Sequence, residues 1–192
     1  GKVNMDRNTV PELTEDTEKS IEDTEEIIIE YKEKSPIVKP IITPRFVPSC
    51  TIDLMEGLGQ LALKYNIPVQ SHLSENTSEV EWVKELHPEL PNYGSVYDEY
   101  NLFGQTKTVM AHCIYNTDEE IQIMKRNQVY AAHCPYSNYN LSSGIMPVRR
   151  FLDEGIPVGL GSDISGGNVL SISNVMGAAI QASKMKWLET DK

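Results

Sequence analysis

Apolar and polar positions along this chain follow two rhythms that keep exchanging places. Residues 14–34 have helical spacing, with Thr17, Ile21, Thr24, Ile28 and Tyr31 on one face. Residues 40–46 (PIITPRF) read as a strand. Ser49 or Thr51 is placed to cap a helix whose apolar stripe is Leu54, Leu58, Leu61, Ala62 and Tyr65, with Asn66 and Pro68 ending it. Residues 67–73 form the next strand, and helical patterns follow at 78–86 and 96–102. A third strand spans 108–113, a helix starts at Thr117, and a fourth strand spans 129–134. A helix over 145–154 stops at Gly155, a fifth strand spans 156–162, and a long helix runs over 171–188.

Strands alternating with helices imply right-handed βαβ units and a parallel sheet. The chain has neither a Rossmann glycine fingerprint nor a P-loop, so the α/β class is best read as part of a (β/α)8 barrel. Such barrels typically need roughly 250 residues, whereas this chain has 192. Residues 1–192 are therefore expected to be the central and C-terminal part of a barrel catalytic domain, with the first three strands not included. Gly1 in place of an initiator methionine agrees with a start inside a longer protein. No internal repeat or low-complexity linker interrupts the pattern. The polar start does not resemble a signal peptide, and no apolar run approaches membrane-spanning length.

The net charge of −11 narrows the partners. Ten acidic residues against three lysines lie between Glu12 and Lys34, which reads as a solvated helix face. An acidic balance argues against binding a nucleic-acid backbone. Cys50, Cys113 and Cys134 form no CxxC pair, which suggests a reducing compartment and a cytoplasmic location.

Candidate chemistry gathers at the strand ends, where barrel enzymes build their sites. Arg45 and Phe46 close the first strand, His72 the second with Glu75 three residues on, His112 the third, His133 the fourth and Asp163 the fifth. Alternation turns His72 and Gln70 to one side, and Asp163 to the side of Gly161 and Gly159, where the glycines would leave room. Any single histidine here is ordinarily a core residue, but three histidines and an aspartate at four successive strand ends point to a metal or acid–base site. Imidazole and carboxylate are good zinc ligands, and zinc lowers the pKa of bound water to about 7. A carboxyl at Glu75 could carry protons between water and substrate. His87, before Pro88 at a helix end, stands outside this pattern and reads as a surface residue.

The segments GKVxMD (1–6), TPRF (43–46), QSHLSE (70–75), VMAHC (109–113), HCPYSN (133–138), LSSG (141–144) and GLGSDISGG (159–167) resemble the guanine deaminases of the amidohydrolase superfamily over nearly the whole chain. TPRF together with QSHLSE is the most specific part. The resemblance implies His72 and Asp163 as zinc ligands, with iron as the alternative metal. It implies Asp163 as acceptor of a proton from the attacking water, Glu75 as carrier of that proton to a ring nitrogen, and His112 as the residue positioning the water. Arg45 and Phe46 would contact the purine; His72, Glu75 and Asp163 would line the substrate site. The implied reaction is hydrolysis of guanine to xanthine and ammonia by a cytoplasmic homodimer.

The family's remaining zinc ligands are a His-x-His pair, and this chain contains none. The cytidine-deaminase signature is absent too, since Cys134-Pro135 is not followed by the required cysteine pair. Two rival readings stay open. One is a related hydrolase acting on a triazine, an adenosine derivative or 8-oxoguanine. The other is a barrel serving as a non-catalytic module.

Overall fold

A computed structural model describes residues 2–190, in two compact units. The first comprises the chain up to Ser71 together with Trp82–Thr108; the second comprises His72–Glu81 and the chain from Val109 on.

The first unit opens with strand β1 (Val3–Asn4), paired in parallel with β2 (Thr43–Pro44). Ile42 bridges in parallel to Val69, the first residue of β3 (Val69–Leu73). Helix α1 (Thr17–Tyr31) is capped by the Asp16 side chain and buries Ser20, Thr24 and Ile28. That face is more polar than the predicted stripe because Asn4, wholly buried on β1, donates to Ser20 Oγ at 2.9 Å and Thr24 Oγ1 at 2.8 Å. Tyr31, placed on the buried stripe by periodicity, is exposed, with Lys34 Nζ 4.2 Å from its ring centre.

Helix α2 (Ile52–Tyr65) starts at the predicted Thr51 cap and ends at Asn66, whose φ of 51° reverses the chain. It packs against α1, where Ile21 fills the space beside Gly57. Gly59 is required: a Cβ there would lie 1.8 Å from the Tyr100 carbonyl oxygen. Helix α4 (Tyr93–Glu99) supplies Tyr93 and Tyr97 to an aromatic core that Phe103, beyond its end, completes, with rings stacked at 5.6 and 6.3 Å. Helix α3 (Thr77–Leu86) runs between the two units' sequences.

In the second unit β4 (Thr108–His112), β5 (Tyr130–His133) and β6 (Val158–Leu160) are parallel neighbours in that order. The end of β3 lies beside β4, with Cys113 N donating to Leu73 O at 3.0 Å. Helix α5 (Asp118–Arg126) begins with a full capping box between Thr117 and Glu120. Helices α6 (Pro135–Asn140) and α7 (Val148–Asp153) follow β5, and α8 (Ile172–Thr190) packs on α6 and β6. Met110, Ile121, Met124, Phe151 and Val175 are among the fully buried apolar side chains here.

Parallel strands in chain order, separated by helices, are the arrangement of part of a (β/α)8 barrel. The sequence reading counted five strands; the structure has a sixth, β1, two residues long and too short to show a period. α6 has no counterpart in the sequence pattern, because Pro135 followed by five polar or aromatic residues carries no apolar stripe. Among the described residues no helix is long and apolar enough to cross a membrane. His87 is not a surface residue: it is 1% exposed. Its backbone N–H continues the last turn of α3 by bonding Val83 O at 2.9 Å, which carries the ring inward. Burial, and then Arg7, lower its pKa against the opposing pull of Glu89.

Candidate active site

The second unit gathers five of the predicted strand-end residues. β3 delivers His72. At Ser74 the backbone turns left-handed (φ 50°), and Ser74 O is held by the amides of Ile114 and Tyr115 at 3.1 and 3.0 Å. This reversal brings Glu75 back beside the strand ends, and its amide is fixed by Glu79 Oε2 at 3.1 Å.

His112 keeps the alternation of β4, buried like Thr108 and Met110. His112 and Cys113 adopt left-handed φ values of 72° and 50°. The His112 ring lies parallel to that of His72, at a centroid distance of 5.3 Å and an interplanar angle of 10°. Its Nε2 is 3.7 Å from Glu75 Oε2, and its Nδ1 is 2.8 Å from Asn138 Oδ1. Glu75 Oε1 accepts a hydrogen bond from Ser143 Oγ at 2.8 Å. His72, Glu75 and His112 therefore form one cluster, with only Glu75 and His72 retaining partial exposure.

Asp163 follows β6 in a left-handed turn (φ 45°). Burial first, then Asp163 and Glu75, raise the Cys134 thiol to about 12, so both carboxylates act on the same sulfur. Cys113 is also raised well above the usual thiol range, first by burial. Both cysteines are held as neutral thiols, poor candidates for nucleophile or ligand. Gly161 serves Cys134 rather than leaving general room: a Cβ there would sit 2.7 Å from Cys134 Sγ. Gly159 has only Ala131 O within reach, at 3.9 Å. His133 is 1% exposed, and neither ring nitrogen has a hydrogen-bond partner among the described residues. Burial, and then the proximity of His112, lower its pKa to about 4.

Arg45 and Phe46 lie together in the first unit. β2 ends at Pro44, so Phe46 escapes the alternation that would oppose it to Arg45. The Arg45 guanidinium carbon lies 5.2 Å from the Phe46 ring centre. Trp82 meets the same ring edge-on at 6.3 Å and 76°.

Among the described residues no group of three or more His, Cys, Asp or Glu side chains is arranged to hold a metal ion. His72 and Asp163 offer donor types suited to zinc but are two ligands, where zinc takes four. Asn138 and Ser143 were not predicted as site residues, although both fall inside motifs already noted, HCPYSN and LSSG.

In the second unit His72, Glu75 and His112 are thus neighbours, and Asp163 follows β6. The amidohydrolase family model matches residues 1–190, and the chain belongs to that family. It is 47% identical over 184 residues to guanine deaminase of Dictyostelium discoideum, covering 95% of this chain and 41% of that protein. It is 45% identical over 187 residues to the Homo sapiens guanine deaminase, covering 96% and 41%. The crystal structure of guanine deaminase from C. acetobutylicum with guanine bound in the active site matches with a TM-score of 0.98 and 59% identity, over 100% of this chain and 46% of that one. The chain thus spans less than half the length of these relatives.

Proposed function

We propose that this chain forms the central and C-terminal part of the catalytic barrel of a guanine deaminase, which hydrolyses guanine to xanthine and ammonia. The relatives support the substrate, and the observation that carries the chemistry is the Glu75–His112 pair. In this reaction an oxygen–C2 bond forms and the bond from C2 to the exocyclic nitrogen breaks. One proton of water ends on the ring nitrogen and the other leaves with ammonia, so a group must carry protons between them. Glu75, with one oxygen held by Ser143 and the other facing His112, is suited to that task.

His112 positions the attacking water, and Asp163 accepts a proton from it. Arg45 donates to purine O6 and N7 through its planar fork, and Phe46 packs on the ring. His72 and Asp163 would hold zinc, or iron in its place, together with ligands from outside these residues. The metal lowers the pKa of water to about 7. Three buried free cysteines fit a reducing, cytoplasmic setting. The homodimer rests on the family resemblance alone.

A substrate panel on the full-length protein tests the reading, with ammonia release as the common readout. Guanine is expected to have the highest kcat/KM. The chain is also 37% identical over 132 residues to the 5'-deoxyadenosine deaminase of Methanocaldococcus jannaschii. Preference for an adenosine derivative or a triazine, with guanine unreacted, would overturn the substrate.

A further inference from the structure

Two residues that the reading above leaves without a role hold the two groups it relies on. Asn138 and Ser143 lie on one short stretch, the end of α6 and the turn after it. The stretch is closed on itself: Ser143 N donates to Asn138 O at 2.8 Å. It is also tied to the loop after β4, since Tyr115 Oη donates to Ser143 O at 2.7 Å. Tyr115 N in turn donates to Ser74 O, next to Glu75. Space at this junction is tight, because a Cβ on Gly144 (φ 138°) would lie 2.7 Å from Tyr115 Oη. The chain there can hold only glycine without moving the tyrosine.

The chemistry of the two contacts is specific. The Asn138 amide oxygen only accepts, so it selects the His112 tautomer with hydrogen on Nδ1. That leaves the Nε2 lone pair on the side of Glu75. Ser143 Oγ donates to Glu75 Oε1, which leaves Oε2 as the oxygen that faces His112. With the hydrogen on Nδ1, Nε2 and the carboxylate Oε2 are two acceptors 3.7 Å apart, and neither satisfies the other. Both are aimed at common ground. Asn138 is wholly buried and Ser143 is 3% exposed, so neither contact is replaced by solvent.

We propose that residues 138–143 form a bracket in which Ser143 and Asn138 are positioning residues, fixing the Glu75 carboxylate and the His112 ring toward one reacting centre. The proposal rests on the proton-carrying role of Glu75 given above. Its test uses the metal-loaded full-length protein and guanine, with kcat, KM, metal content and melting temperature measured together.

Ser143→Ala is expected to lower kcat by roughly 10–100-fold, since small misplacements of reacting groups cost up to about that much. KM and metal content should stay close to wild type. Ser143→Thr, which keeps the hydroxyl, should recover most of the loss. In a Glu75→Gln background Ser143→Ala should add almost nothing, because its effect passes through Glu75. Asn138→Asp, which keeps the accepting oxygen, should retain more kcat than Asn138→Leu. A Ser143→Ala effect of full size in the Glu75→Gln background, or an unchanged kcat, overturns the Ser143 half; so does a Ser143→Thr variant as impaired as Ser143→Ala. Equal loss in Asn138→Asp and Asn138→Leu overturns the Asn138 half. Near-normal kcat in Glu75→Gln alone would instead remove the reading beneath the proposal.

Discussion

His133 gives the clearest link between a buried group and a bulk measurement. It is 1% exposed, its ring nitrogens have no hydrogen-bond partner among the described residues, and its pKa is lowered to about 4 against an ordinary 6.5. In the unfolded chain the ring takes up a proton near 6.5; in the folded chain it resists until about 4. Between those values the unfolded state binds more protons, so stability falls as the pH is lowered. The contribution is intact above about 6.5, is reduced by about 2 kcal/mol at pH 5, and reaches a loss of about 3 kcal/mol below 4.

The perturbation is His133→Leu, which removes the titrating ring from a buried position. Urea unfolding at a series of pH values between 7.5 and roughly 4, compared between wild type and variant, isolates the His133 share. The gap between the two should shift in favour of the variant by about 2 kcal/mol on going from pH 7.5 to 5. A gap that stays constant over that range would show that His133 titrates normally and that the burial argument is wrong.

Further outcomes follow from the site itself. Glu75→Gln should keep metal and guanine binding while kcat falls by roughly 10²–10⁴-fold, because the amide keeps the shape but carries no proton; stopped-assay xanthine yields beside metal analysis check this. Asp163→Ala should lose metal together with activity, which the same metal analysis separates from the Glu75 effect. Arg45→Ala should lower kcat/KM for guanine by about 10²-fold or more with metal content unchanged, and Arg45→Lys should not fully restore it, since lysine lacks the planar fork. The 192-residue chain expressed alone should bind zinc weakly, having two suitable ligands where zinc takes four; stoichiometric zinc by metal analysis would contradict this.

Much of the framework was legible because its signals are local. Thr51 and Thr117 cap helices as their side chains predict, and Asn66 ends α2 in the left-handed conformation that asparagine tolerates. His72, Glu75 and His112 were legible as a set because strand ends collect chemistry in this architecture. What the sequence could not carry was direction. His112 and Ser74 have left-handed backbones that neither residue type announces, and the turn at Ser74 brings Glu75 round. β1 is fixed by pairing with Thr43–Pro44, a partner about forty residues away in sequence, rather than by its own pattern. His87 reads as a surface residue because it precedes Pro88 at a helix end, whereas the last turn of α3 carries the ring inward. Asn138 and Ser143 showed as motif letters, but their use depends on contacts 26 and 68 residues away in sequence.

The central claim is hydrolytic loss of ammonia from guanine, and isotope-labelled water tests it most directly. The metal-loaded full-length protein is incubated with guanine in oxygen-18 water, and xanthine and ammonia are quantified together. The account predicts equal amounts of the two products, with one labelled oxygen at C2 of each xanthine, and loss of both products in Glu75→Gln. Guanine recovered unchanged by the wild-type protein, or ammonia released without labelled xanthine, would contradict it.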